Sequence, residues 1–243
     1  MSFLYIVGMP KFRCVLFDAG HTLIHPHPSL GEVYARVTEG FGVRIPPERF
    51  TTEARTVFAA FNAAFHADPA NHPSSDEHDR GMWRAITARL FEALGRPPLP
   101  FDAWFEALYE AFARPEVWRP YPDALPLLDG LRARDLRLGI VSNWDSRLEP
   151  ICEGLGLSRR IDFILISARV GVRKPARRIF ERALELAGAA PDEALHVGDS
   201  VPEDVHGARA AGIRPVLIDR DGQPAPAGVN VIRSLAELNS ILD

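Results

Sequence analysis

The chain has 243 residues, of which 47% are hydrophobic and 25% charged, with a formal net charge of -4. Such values suit one large globular domain or two modest ones, and they exclude the basic surface that nucleic acid or an anionic membrane would require. Two cysteines, Cys14 and Cys152, are too few for a disulfide framework, and no apolar stretch is long enough to span a bilayer.

The N-terminal SFLYIVG run looks like the centre of a leader peptide, but it lacks a basic start and a small-residue cleavage site. A cytoplasmic protein with reduced thiols is therefore expected, and Met9 offers an alternative start with residues 1–8 as an upstream extension. RCVLFD (13–18) reads as the first buried strand, ending in Asp18 and followed by Ala-Gly-His-Thr-Leu. Residues 25–115 show no strand pattern. About four helices are expected there, near 29–41, 47–66, 77–94 and 101–113, separated by proline-containing loops. Phe58, Phe61 and Phe65 recur at helical spacing, as do Trp104, Leu108 and Phe112, the pattern of a bundle core.

From about residue 116 the pattern changes. The runs LRLGIVSN (136–143), IDFILIS (161–167), ALHVGD (194–199) and IRPVLID (213–219) read as buried parallel strands. Amphipathic segments alternate with them near 123–134, 146–156, 176–188, 203–211 and 234–242. The alternation predicts an α/β fold, a doubly wound parallel sheet with right-handed crossovers. Residues 1–24 and 116–243 would form that Rossmann-like core, and residues 25–115 an inserted all-helical cap domain. Ligands of such sheets bind beyond the carboxyl ends of the strands. An insert placed just after the first strand would sit over those ends, as a lid does.

The polar residues that stand out all lie at strand ends: Asp18, Ser142-Asn143, Lys174-Pro175 and the pair Asp199 and Asp204. A carboxylate delivered by an apolar strand into a loop of small residues suits a nucleophile or a metal ligand. Lysine is rare here, with only Lys11 and Lys174 in the chain, so Lys174 among these sites is conspicuous. Each residue also has a plainer reading. Asp18 or Ser142-Asn143 can stabilise a turn, Asp204 can sit in a first helical turn, and Lys174 can be a solvated surface group.

The segments FDAGHTL (17–23), VSN (141–143), GVRKP (171–175) and HVGDSVPED (196–204) together resemble the motifs of haloacid-dehalogenase-superfamily hydrolases with a helical cap between the first and second motifs. SNWDSRLEPI and GDSVPEDVHGARAAGI are most similar to the haloacid-dehalogenase-like hydrolase domain-containing proteins, and the resemblance runs from Arg13 to about Asp221. It implies a Mg²⁺-dependent hydrolase of a phosphorylated small molecule. Asp18 would attack phosphorus and form an aspartyl-phosphate. Ser142 and Asn143 would hold the phosphate and Lys174 would balance its charge. Asp18, Asp199, the carbonyl of Gly20 and Asp204 would surround the metal, with Asp204 either binding a metal water or steadying Lys174. His21, His25 and His27 cluster beyond the nucleophile, and His21 is the candidate among them, either for substrate contact or as a substitute acid or base for the Asp missing two residues after the nucleophile. Thr22 would stabilise the turn, Gly198 would allow close backbone approach, and Trp83 and Trp144 would line the pocket or simply pack.

The resemblance breaks at Gly20, where most phosphatases of this superfamily carry a second Asp that protonates the leaving group. Weak turnover of alkyl phosphates follows, with aryl phosphates, acyl phosphates or anhydrides affected less. Two other classes remain: a metal-free 2-haloacid dehalogenase, and a fold retained as a binding or scaffold protein. No nucleic-acid or membrane partner is expected, and either a monomer or a homodimer fits.

Overall fold

The computed structural model describes residues 12–67, 73–222 and 226–243. The leader-like run, Met9 and Lys11 lie outside the described residues. In chain order the strands are β1 (Cys14–Phe17), β2 (Ile24–Pro26), β3 (Trp118–Pro120), β4 (Arg137–Ser142), β5 (Phe163–Ile166), β6 (Ala194–Gly198), β7 (Arg214–Ile218) and β8 (Asn230–Ile232). The helices are α1 (Leu30–Glu39), α2 (Pro47–Ala67), α3 (Asp76–Ala93), α4 (Phe101–Ala111), α5 (Ala124–Arg132), α6 (Leu148–Gly154), α7 (Ser167–Val170), α8 (Arg177–Ala187), α9 (Gly207–Ala210) and α10 (Asn239–Leu242).

Six strands form one sheet in the order β5-β4-β1-β6-β7-β8, and every pairing in it is parallel. Side chains alternate across a strand, so β1 serves both faces. Val15 and Phe17 enter one apolar cluster with Leu128, Leu148 and Leu235, while Cys14 and Leu16 enter a second with Ile179 and Phe180. Burial on both faces explains the unbroken apolar runs of the sequence. Burial also pushes the thiols of Cys14 in β1 and Cys152 in α6 up to about 12, which disfavours the reactive thiolate form.

Helices α1 to α4 hold a third apolar cluster, including Tyr34, Phe50, Leu90, Trp104 and Leu108. Their starts follow local chemistry. Ser29 caps α1 by accepting from the Glu32 amide at 3.2 Å, and Ser75 caps α3 by accepting from the His78 amide at 3.0 Å. The aromatic spacing divides its work: Trp104 and Leu108 are buried, whereas Phe58 and Phe112 are only half-buried and line a cavity.

Four details differ from the sequence reading. Residues 25–115 begin with strand residues, because β2 pairs antiparallel with β3; three residues are too few to show a period of two. The short elements β8 and α7 were likewise not expected. The expected helix near 203–211 opens as a π-helical turn, Val201–His206, before α9. The expected helix near 234–242 is split between a 3-10 turn, Leu235–Leu238, and α10. Among the described residues no helix is long and apolar enough to cross a membrane.

Candidate active site

Strands β1, β4 and β6 are adjacent, so their carboxyl ends deliver Asp18, Ser142 and Asp199 to one place. The Asp18 carboxylate is held on one side only. Its Oδ1 accepts from the Ser142 hydroxyl at 2.9 Å and from Lys174 Nζ at 2.7 Å; its Oδ2 has no protein donor among the described residues. Lys174 is completely buried and also donates to Asp204 Oδ1 at 2.6 Å. One ammonium thus bridges two buried carboxylates. Burial would lower the Lys174 pKa, but the negative charges of Asp18 and Asp204 outweigh it and push it up. Burial would raise the Asp204 carboxyl, but the Lys174 charge and the His196 hydrogen bond hold it below the usual carboxylate range. Asp18 is raised, because burial outweighs the lysine.

Lys174 is aimed by its backbone. Its N–H donates to Asn143 Oδ1 at 2.7 Å, and its carbonyl accepts from Asn143 Nδ2 at 3.0 Å. The Asn143 side chain therefore fixes the lysine loop, leaving its main-chain amide without a protein acceptor among the described residues. Asp204 has both oxygens occupied. His196 Nε2 lies 2.8 Å from Oδ1 and the Ser200 amide 3.0 Å from Oδ2. Of the two roles expected for Asp204, binding a metal water or steadying Lys174, these contacts favour the second. His196 is a site residue that sequence reasoning missed. It sits inside β6, where a lone histidine in an apolar run gives no signal. Its Nδ1 is buried without a partner among the described residues, so the contact with Asp204 is the ring's one polar tie there.

The donors left over suit a hard divalent cation. Asp199 opens into the cavity although protein surrounds it. Among the described residues its one side-chain hydrogen bond is with the Thr22 hydroxyl, which donates at 3.3 Å. Burial and the charges of Asp18 and Asp204 hold its carboxyl well above the usual range. Asp18 and Asp199 line one cavity with Gly20, and two carboxylates with a backbone carbonyl would make an all-oxygen set of the kind Mg²⁺ prefers. Among the described residues no three His, Cys, Asp or Glu side chains converge as a complete metal cage; Mg²⁺ commonly uses one or two carboxylates and keeps several waters.

Close approach is built into the loop. A Cβ on Gly198 would land on the Asp204 carboxyl group. Gly198→Ala is expected to displace Asp204 from Lys174 and to cost about 1–3 kcal/mol. A thermal melt should show a drop of about 5 °C; a wild-type melting curve would contradict the packing argument.

A cavity of about 420 Å³ opens above these groups. Its wall includes Asp18, Gly20, His21, Ser142, Asn143, Asp199 and Asp204 from the strand ends, and Trp83 and Trp144, for which the sequence left pocket lining and packing both open. His21 adopts a left-handed conformation with φ 56°. His25 lies elsewhere, its ring 4.7 Å from that of Tyr121, and His27 is also outside the lining. Thr22 does more than shape its turn, since it contacts Asp199.

Two ion pairs escaped sequence reasoning because their partners are distant in the chain. Arg220 binds Asp123 at 3.0 and 3.1 Å and donates to the Thr22 carbonyl at 3.0 Å, bracing the loop after Asp18. Arg173, next to Lys174, binds Asp79 of α3 at 2.8 Å, and Ser74 donates to Asp79 at 2.7 Å. Both charged partners are buried.

Comparison with known proteins places this geometry. A match to the haloacid dehalogenase-like hydrolase family spans residues 12–212. The chain is 34% identical to mouse (Mus musculus) haloacid dehalogenase-like hydrolase domain-containing protein 3, covering 96% of this chain and 94% of that one. It is 32% identical to the phosphoserine phosphatase of Thermus thermophilus, over 87% and 90% of the two chains. Among solved structures, the magnesium-bound HAD-hydrolase YfnB of Bacillus subtilis is similar with a TM-score of 0.76 at 20% identity, covering 96% of this chain and 99% of that one. A parallel sheet carrying these four motifs at its strand ends, matched along most of its length, belongs to the haloacid dehalogenase-like hydrolase family.

Proposed function

We propose that this hydrolase is a Mg²⁺-dependent phosphatase of a small phosphorylated molecule, acting through an aspartyl-phosphate on Asp18. The observation that carries the reading is the buried Lys174 bridge, which holds one Asp18 oxygen and leaves the other facing the cavity. Residues 25–115 act as a helical cap over the core of 1–24 and 116–243. Bound between Asp18, Asp199 and the Gly20 carbonyl, Mg²⁺ would supply charge neutralisation for the phosphate and the nucleophile.

The chain's own groups do the rest. The Asp18 carboxylate attacks phosphorus and the bond to the leaving oxygen breaks. Lys174 offsets the negative charge that gathers there, the Asn143 amide is free to donate to a phosphate oxygen, and the Ser142 hydroxyl, which donates to Asp18 in the free protein, turns to donate to another. Water then attacks the aspartyl-phosphate, one of its protons passes to a phosphate oxygen, and Asp18 is regenerated. No carboxylate side chain exists at position 20 to protonate the leaving group, so alkyl esters should turn over slowly. Gly20 fits the dehalogenase reading as well, but the carboxylates at 199 and 204 favour phosphate chemistry, since a metal-free dehalogenase has no need of them.

The test is hydrolysis of p-nitrophenyl phosphate and acetyl phosphate with Mg²⁺. Turnover should vanish with EDTA, return with Mg²⁺ and be missing from Asp18→Asn. Metal-independent turnover, or an active Asp18→Asn protein, would overturn the proposal. Chloride release from 2-chloropropionate without metal would establish the dehalogenase class instead.

A further inference from the structure

Five aromatic residues stay half-buried around the cavity: Phe58, Trp83 and Phe112 from the helical segment, Trp118 from β3 and Trp144 from the loop after β4. They form edge-to-face contacts. Trp144 meets Trp118 at 5.0 Å, Trp118 meets Phe112 at 5.9 Å, and Phe58 meets Trp83 at 5.9 Å between ring centroids. The first series starts beside the nucleophile, since the Trp144 ring comes within 3.3 Å of where a Cβ on Gly20 would stand. A group leaving Asp18 therefore departs along ring faces and edges.

The wall is also short of free positive charge. Among the described residues, and apart from His21, every basic side chain in the lining already has a carboxylate partner. Arg147 grips Asp145 through two nitrogens at 2.8 and 2.7 Å, Arg173 holds Asp79 at 2.8 Å, and His66 lies 3.3 Å from Glu203. A leaving group with its own carboxylate would have to break one of these pairs. One rich in hydroxyls would lose hydration against rings that offer few hydrogen bonds in return.

We infer that the leaving group of the natural substrate is aromatic and uncharged, making the substrate class an aryl phosphate. Two independent features converge here, as apolar rings bind such a group and the glycine at 20 demands one that leaves without a proton. The inference rests on the phosphatase reading. In the first step the phosphorus–oxygen bond breaks and the aryloxide carries away the electron pair, taking its proton from water afterwards.

The experiment compares 1-naphthyl phosphate, acetyl phosphate and O-phosphoserine with the full chain and Mg²⁺. Acetyl phosphate has a good leaving group and no ring, so it reports the chemistry alone. The expected result is a KM for 1-naphthyl phosphate about tenfold below that for acetyl phosphate, with O-phosphoserine the poorest by kcat/KM. Trp83→Ala should raise the KM for 1-naphthyl phosphate about tenfold more than that for acetyl phosphate, and Phe112→Leu, a milder change, should act in the same direction. Equal KM values, equal effects of both variants on the two substrates, or efficient hydrolysis of O-phosphoserine would overturn the aryl assignment while leaving the phosphatase reading intact. Failure on all three phosphates would overturn both.

Discussion

Replacing Lys174 with methionine is expected to lower the melting temperature by on the order of 10 °C and to abolish phosphatase turnover. The side chain is completely buried and is the ammonium partner of both Asp18 and Asp204. Removing one partner of a buried ionic group typically costs about 3–5 kcal/mol, because the remaining charge is left uncompensated. That loss converts to the stated shift for a protein of this size. The pH dependence has a definite sign. In the native protein the Asp204 carboxyl is held below its ordinary value. Its stabilisation is therefore full above the usual carboxylate range and is lost as pH falls through the lowered value. Without Lys174, burial is opposed mainly by His196, so protonated Asp204 becomes better tolerated. Melts of Lys174→Met should therefore recover part of the loss between about pH 8 and pH 5, whereas the native protein should not gain. The double variant Lys174→Met with Asp204→Asn should regain stability without regaining turnover. A single variant that melts like the native protein would show that the bridge contributes no net stability.

Gly20→Asp should raise turnover of alkyl phosphates by about 10²–10⁴-fold, the usual worth of a positioned acid–base group. The backbone allows the change, since Gly20 is not among the glycines with positive φ. Its obstacle is Trp144, whose ring lies 3.3 Å from the new Cβ. The ring must yield by a few tenths of an ångström, and its contact with Trp118 resists that. Gly20→Asp alone should therefore realise less of the gain than Gly20→Asp with Trp144→Leu. Ethyl phosphate and p-nitrophenyl phosphate separate the effects: the first should gain greatly, the second little, because its leaving group departs without a proton. Equal gains on both esters would refute the leaving-group argument.

The strand ends were readable in the sequence because parallel strands buried on both faces leave unbroken apolar runs, and the first polar residue after each run marks the sheet's working edge. Asp18, Ser142 and Asp199 follow directly from that rule. The helices of 25–115 were readable from the spacing of Trp104 and Leu108, which are buried as that spacing requires. Aromatic spacing cannot distinguish core from cavity wall, and so Phe58 and Phe112 were read as core. The β2–β3 ribbon left no trace because three residues carry no period.

The linear chain determined the sheet, the helical insert and the residue types at each strand end, because these depend on local periodicity and on which side chains can be buried. Tertiary structure alone decided the partners. Lys174 meets Asp18 and Asp204 across 156 and 30 residues, and Asp204 is committed to the lysine together with His196, hidden in β6, and the Ser200 amide. Arg173 finds Asp79 across 94 residues. Electrostatic pairing depends on distance in space and on exclusion of water, and neither is fixed until the sheet and the helices have packed.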